Sequence, residues 1–404
     1  MRERPVVTLV VPSEAYRVDD WIQAAARLGV EIAVATEAHH SLAEDMGPNM
    51  IPVDFDDAES SAMLIASSSL PIRAILAIDD RGVKMAARAA RLRGLTHNGV
   101  ETADATRDKA AMRQVLSGAV PQPRFVVLEA GQSHREAQSV GTPAVVKPAT
   151  LGGSVGVIRV DDPERLPDTI RRVRRIATAR GADPRAPVLV ESYVDGVEVA
   201  VEGMVTDGRW DTLAVFDKPD PLDGPYFAET HYVTPSRLAN EMLSEVDATA
   251  ARAASALGIV RGPAHAEFRV GDGVVLLEIA SRPIGGLCGR SLRFGLADTP
   301  LEELLIRNAL GVRVRGTRLA PGASGVSMIP VPSSGVFAGI DGTETAREVE
   351  HITDVEVSPI AGHPVAPLPE ESTYLGFVFA RAPHPQQVET ALREACAALK
   401  VRIE

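Results

Sequence analysis

Pro143–Val160 reads PAVVKPATLGGSVGVIRV. The apolar run Ala144-Val145-Val146 ends in Lys147 and Pro148. A loop of small residues follows, Gly152-Gly153-Ser154-Val155-Gly156, and then a second apolar run. The pattern predicts strand, loop, strand, with a lysine at the exit of the first strand. Glycines let a backbone approach a ligand closely and present successive N–H groups, which suits phosphate oxygens. A lysine adds a point charge for the same anion. Taken alone, the stretch fits a hairpin with a glycine turn and a surface lysine equally well. Its surroundings decide between the two.

The chain has 404 residues, enough for about two or three domains. Hydrophobic content of 45% and charged content of 24% fit an ordinary globular protein. No apolar run approaches the ~20 residues of a membrane helix, and the N-terminal apolar segment is too short for a signal peptide. Two cysteines, Cys288 and Cys396, give neither a disulfide framework nor metal-ligand spacing. A cytoplasmic protein is expected, without a membrane partner. The net charge of -12 and the lack of a basic stripe disfavour nucleic-acid binding. Arg171, Arg172, Arg174 and Arg175 lie in a predicted helix and read as a solvated face.

Towards the N-terminus, strands at Val6–Val11, Val30–Ala35 and Ile72–Ile78 alternate with helices at Asp19–Leu28 and Val83–Leu92. That alternation predicts a small α/β domain with a parallel sheet, up to about Thr102. Ser13 and Asp79, at strand exits, read as helix caps or ligand contacts. Thr106 is the expected N-cap of the next helix, with Lys109 in its first turn. A cation is mildly unfavourable there, which hints that Lys109 faces an anion.

Towards the C-terminus, Val188–Val194 predicts a strand that turns at Asp195-Gly196 and returns as VEVAVEGMV. Glu198, Ala200 and Glu202 then share one face. With Glu191, these acids are either a wet face or a site. Asp217-Lys218 ends a further strand, and Asp220–Pro235 reads as irregular. The hairpin HAEFRV (265–270), Gly271-Asp272-Gly273, VVLLEIA (274–280) sets Glu267 opposite Glu278. Opposed residues bring their Cβ atoms within ~5 Å. Two carboxylates so close repel unless a cation lies between them, and oxygen ligands suit Mg²⁺ beside phosphates. Arg282 lies four residues past Glu278. Beyond Gly311 the pattern is strand-rich and closes on a helix near Gln386–Leu399, where Cys396 falls on the apolar face. Cys288 follows Gly285-Gly286, with no activating group legible.

The order of these parts resembles the ATP-grasp superfamily: Lys109, strand-exit Lys147, the glycine loop, ESYVDGVE (191–198), Lys218, then paired acids and Arg282. Within it, the chain is similar to carboxylate–amine ligases of the L-amino-acid ligase type. The fold class this implies is α/β, an α+β ATP-grasp architecture. It has an N-terminal parallel α/β domain (1–102), an ATP-grasp small subdomain with a Gly-rich lid (103–187), a large subdomain with the magnesium site (188–311) and a C-terminal α+β closing region (312–404).

The resemblance also implies roles. Lys109 and Lys147 match lysines on the nucleotide phosphates, and Gly152, Gly153, Ser154 and Gly156 match the lid. Glu191 matches the acid facing the adenine amino group. Val194, with Tyr193 beside it, matches the hinge at the adenine, and Glu198 the acid on the ribose. Lys218 matches a lysine near the γ-phosphate. Glu267 and Glu278 match magnesium ligands, and Arg282 the arginine that steadies the acyl species. Glu229 and His231 match a substrate-side acid and histidine. ATP and two Mg²⁺ ions, replaceable by Mn²⁺, are the implied cofactors. A carboxylate and an amine are the implied partners, and a homodimer stays open. Two departures stand out. Ala280 occupies a position where many relatives carry a metal-binding asparagine. Pro283-Ile284-Gly285-Gly286 replaces the Val-Glu-His-type run of biotin carboxylases, which argues against bicarbonate chemistry. The expected reaction is ADP-forming amide synthesis. Carboxylation, phosphoryl transfer, or nucleotide binding without catalysis are the alternatives.

Overall fold

The structure is a computed structural model, and it describes residues 4–13, 18–38, 46–314, 316–358 and 360–404. Its N-terminal unit is a four-stranded parallel sheet in the order Met50–Pro52, Glu31–Thr36, Val6–Val10, Ile72–Ala77. Parallel sheets are covered on both faces, and these strands are accordingly almost continuous apolar runs. Helix Val18–Leu28 buries Val18, Trp21, Ala24 and Ala25, the helical spacing legible in the sequence. Helix Asp80–Leu92 starts directly at a strand exit. Asp79 caps it, accepting a hydrogen bond from the Arg81 N–H.

A second sheet is four-stranded and antiparallel, in the order Phe125–Leu128, Val188–Ser192, Ala144–Pro148, Ile158–Val160. Helix Leu166–Ala179 covers one face with Leu166, Ile170, Val173 and Ile176. The expected boundary at 187/188 falls just ahead of Val188–Ser192, yet that strand is central in this sheet. Its β-branched pattern announces a strand but does not name the partners.

The third sheet has eight strands: Val274–Ala280, Arg261–Val270, Val197–Thr206, Arg209–Lys218, His231–Thr234, Ala323–Pro330, Tyr374–Ala382 and Ile352–Val357. It runs straight across the expected boundary at 311/312. The joint is His231–Thr234, inside the stretch read as irregular. It pairs with Arg209–Lys218 on one side and with Ala323–Pro330 on the other. Four residues are too short a run for a period-2 signal to stand out among turn residues. The closing helix Pro385–Ala398 matches expectation. A strand that the sequence reading did not contain follows it, Lys400–Ile403, paired with Gly335–Asp341.

One buried cluster ties the N-terminal unit to the large sheet. It joins Leu9 and Trp21 of the N-terminal sheet unit to Phe216, Tyr232, Leu292 and Phe294 around the large sheet. The small sheet has a core of its own and joins the other two through a cavity that residues of all three units line.

Candidate active site

The cavity has a volume of about 550 Å³, and all three units contribute to its walls. From the small sheet come Lys147 and Glu191. Glu191 is 3% exposed and stands between two cations, Arg113 Nε at 2.6 Å and Lys147 Nζ at 2.7 Å. Burial raises the Glu191 carboxyl, but Arg113 and Lys147 outweigh it, and it lies below the usual carboxylate range. Burial also pushes the Lys147 ammonium below an ordinary lysine, with Glu191 opposing. Arg113 was not among the expected site residues. It lies four residues after Lys109, on the same helix face, and that spacing was the available signal. Its Nη2 donates to the Leu277 carbonyl 2.6 Å away, so it links the small sheet to the hairpin.

Lys109 reaches the other side of this cluster, donating to the Leu151 carbonyl (2.7 Å) and pairing with Glu278 (3.0 Å). The helix start differs from expectation. Two helices, Val100–Arg107 and Lys109–Val115, meet at Asp108, which is the N-cap and accepts from the Ala110 and Ala111 N–H groups. Thr106 lies at the end of the first helix and turns its hydroxyl to Ser281 Oγ, 2.8 Å away. Ser281 therefore points away from the position that the missing asparagine leaves, as strand alternation requires.

Gly152, Gly153 and Ser154 line the cavity, and Gly153 and Ser154 have positive φ (60° and 59°). A Cβ on Gly153 would come within 2.8 Å of Ser372, so the lid fits its distant neighbour only without a side chain. Gly156 departs from its expected role. It does not line the cavity; it packs on Pro148 and gives its N–H to the Pro369 carbonyl, 2.8 Å away. The arginine run is also more than a solvated face. Arg172 pairs with Glu370 (2.6 Å) and donates to the Tyr226 hydroxyl (2.9 Å). Arg174 donates to the carbonyls of Leu128 and Glu129. Arg180 adds bonds to the Glu370 carbonyl (2.9 Å) and Glu371 (3.0 Å). The Arg172 and Arg180 ties hold the lid unit against residues 369–372.

Cross-strand register assembles the opposite wall. Glu198 lies opposite Lys218 on one neighbouring strand and opposite Arg269 on the other. Lys218 Nζ contacts Glu198 (2.7 Å), Glu229 (2.5 Å) and Glu267 (3.0 Å). The three acids line the cavity, whereas Lys218 lies behind them and does not, which departs from a lysine on the γ-phosphate. Burial works against its charge, yet the three acids hold it well above an ordinary lysine. Glu267 is pushed well below the carboxylate range: burial raises it, but Lys218 and His265 prevail. Glu229 is raised, first by burial and then by Glu267. His265 stands between Glu202 (3.2 Å) and Glu267 (3.6 Å).

Glu267 and Glu278 are register partners, as the hairpin turn required. Their side chains contact different cations, Lys218 and Lys109. Arg282 lies two residues past the strand end. Asp80, from the N-terminal unit, grips its Nη2 at 2.9 Å. Burial raises Asp80, but Arg282 outweighs it and the carboxyl is depressed. Tyr193 and Val194 line the cavity, and the Tyr193 hydroxyl donates to Asp223 (3.0 Å) under the guanidinium of Arg159. His231 does not line it. Its strand neighbour Tyr232 does, so His231 faces the other side, with Nε2 3.6 Å from Asp220. The expected substrate-side histidine thus lies outside the cavity lining, and burial keeps this imidazole below its ordinary value.

Lys218 already serves as the cation among Glu198, Glu229 and Glu267, while Glu267 and Glu278 face each other across the hairpin and both line the cavity. Such oxygen donors fit Mg²⁺. Lys109, Lys147 and Arg282, in the same cavity, fit the anionic oxygens of a nucleotide triphosphate. The donor sets suit both groups.

Comparison with known proteins follows the same outline. Residues 22–96 match the family described as ATP-grasp N-terminal domain, and residues 140–291 match ATP-grasp domain. Residues 327–404 match L-amino acid ligase C-terminal domain 2. The two ATP-grasp matches cover separate segments of the chain, and these segments are similar to ATP-grasp domains. Among similar proteins, the alanine–anticapsin ligase of Bacillus subtilis (strain 168) is 28% identical over 204 residues, covering 46% of this chain and 42% of that protein. The D-alanine–D-alanine ligase of Nocardia farcinica is 34% identical over 202 residues, covering 46% and 53%. The chain spans about half the length of the curated relatives it matches. The crystal structure of an L-amino acid ligase from Bacillus licheniformis superposes with a TM-score of 0.82 at 23% identity, over 100% of both chains. A carboxyaminoimidazole ribonucleotide synthase from Aspergillus clavatus, complexed with ATP, gives 0.77 at 16% over 98% of each. These likenesses show the fold. No helix among the described residues is long and apolar enough to cross a membrane.

Proposed function

We propose that this chain is an ADP-forming ligase that joins the carboxyl group of one amino acid to the amino group of another. One observation carries the reading. A glycine lid, Lys109, Lys147, the paired carboxylates Glu267 and Glu278, and Arg282 all line one cavity. The ligase names of the relatives support it.

Glu191, Tyr193 and Val194 hold the adenine end, and Glu198 takes the ribose hydroxyls. Arg113 keeps Glu191 ionised, so Lys147 stays fixed over the phosphates. Glu267 and Glu278 would hold magnesium, two ions in this reading, which when bound would neutralise charge on the transferring phosphoryl group. A substrate carboxylate oxygen attacks the γ-phosphorus, ADP departs, and an acyl phosphate remains. The lid excludes water, which would hydrolyse that species. The amine then attacks the carbonyl carbon, and phosphate leaves with its bonding electron pair. Arg282, oriented by Asp80, faces the oxyanion that develops on the carbonyl oxygen. Lys218 serves as the buried counter-charge that keeps Glu198, Glu229 and Glu267 together. Glu229 is the acid available to a substrate ammonium.

ADP release measured with each amino acid alone and in pairs tests the reading. Release that requires two amino acids is expected. Release indifferent to the amine would favour carboxylation or plain phosphoryl transfer.

A further inference from the structure

One part of the cavity wall carries none of the chemistry above. Tyr232, Ile284, Cys288, Met328, Tyr374 and Phe377 form it, and all but Tyr374 are buried. They come from four separate segments, so no stretch of sequence announced them. Contacts within the wall and with residues outside it hold them in place. Phe216 packs on Tyr232 at 5.5 Å between ring centroids, and Phe379 stacks on Phe377 at 6.4 Å. Tyr374 meets Phe377 edge-on at 6.1 Å, and Cys288 Sγ lies 3.6 Å from Met328 Sδ. The Ile284 N–H donates to buried Glu202, which anchors the Pro283–Gly286 loop. A Cβ on Gly286 would lie 2.9 Å from the Phe377 ring, so that ring sits tight against the loop.

Tyr232 marks the border. Its ring lies 5.1 Å from Lys218 Nζ, so the apolar wall begins where the three acids end. An amino acid whose ammonium meets Glu229 would have this wall beside its side chain. A charged side chain there would lose its water and meet carbon and sulfur. An apolar one would replace water at a preformed surface.

We infer that this wall is the side-chain pocket for one of the two amino-acid substrates, and that it selects apolar side chains over charged ones. Met328 and Phe377 set its depth. The inference rests on the ligase reading above.

The test measures kcat/KM for ADP formation with leucine, methionine, phenylalanine, aspartate and lysine, each paired with alanine. The apolar three should exceed aspartate and lysine by about tenfold or more. Met328→Ala should raise the phenylalanine-to-leucine ratio by about fivefold, the order expected from a deeper apolar pocket. Reading a ratio keeps an overall loss of activity from masking the change, and Phe377→Leu, a milder truncation, replaces Met328→Ala if that variant does not fold. Equal use of aspartate or lysine and leucine overturns the inference, as does an unchanged ratio in the folded variant. If no amino acid stimulates ADP release, the ligase reading fails. The pocket is then judged by binding alone, from the melting temperature of the parent protein. Stabilisation by leucine or phenylalanine and not by aspartate or lysine upholds it; the reverse, or no stabilisation by any of them, overturns it.

Discussion

The paired-acid hairpin and the glycine lid face each other across one cavity, but they are held in place by different means. The hairpin Arg261–Val270/Val274–Ala280 is fixed by its own register: Gly271-Asp272-Gly273 turns the chain, and Glu267 then falls opposite Glu278. The lid has little of its own to hold it. Gly153 is seated under Ser372, the Gly156 N–H bonds to Pro369, and Arg172 and Arg180 grip Glu370 and Glu371. All four partners lie more than 200 residues away in sequence from the lid glycines. The comparison teaches that one wall is encoded locally and the other depends on the C-terminal region. Substitutions in the two walls should therefore fail differently.

The largest effect belongs to the hairpin. Glu278→Ala should lower the rate of ADP formation by about a hundredfold or more, the order of a lost metal ligand or its equivalent, while circular dichroism and the melting temperature stay near the parent. Near-normal turnover would sink the metal assignment. Arg113→Met tests the bond between the walls, since it leaves Glu191 buried with Lys147 alone. Breaking a buried pair costs about 3–5 kcal/mol, and urea unfolding should show a loss of that order.

Lys147→Ala removes a cation that in this account contacts phosphate. ATP binding by calorimetry should weaken by about tenfold or more, and an unchanged affinity would remove Lys147 from the phosphate site. The lid contacts predict a smaller and different defect. Glu370→Ala breaks a half-exposed pair with Arg172, worth about 1 kcal/mol at most. Overall stability should scarcely change. The ratio of ADP released to amide formed should rise, because a looser lid admits water to the acyl phosphate. A ratio that stays at unity would mean that residues 369–372 do not govern closure.

A further test is in pH. The folded-state pKa of Glu191 is depressed by Arg113 and Lys147 against burial, so its contribution to stability is present above the unfolded value near 4.5. That contribution is lost as pH falls through the lower folded value. The melting-temperature deficit of Glu191→Gln should hence be largest near neutrality and shrink as acid is added through that range. A deficit that grows on acidification would contradict the ionised pair.

How far the sequence could be read follows the same division. The alternating α/β order of the N-terminal unit, the strand-exit lysine and the hairpin register were legible because each rests on local periodicity or turn chemistry. Lys218 was legible as a charged site residue, but its place behind three acids was not, since that depends on Glu198 and Glu267 arriving from two other strands. The placement of His231 was not legible because its strand was hidden among turn residues, and strand parity is what turns Tyr232 inward and His231 out. Arg113 had a faint signal in its spacing from Lys109. Asp80 stood in plain sight after a strand, but nothing local ties it to Arg282, 202 residues on. Residues 369–372 carried no pattern that would pair them with a loop so distant.

The most direct measurement is the stoichiometry of the reaction. With ATP, Mg²⁺ and two amino acids, the account predicts ADP and a condensation product in equal amounts, the product mass being the sum of both substrates less one water. ADP released at the same rate without an amine, or a product lacking the second amino acid, would contradict it.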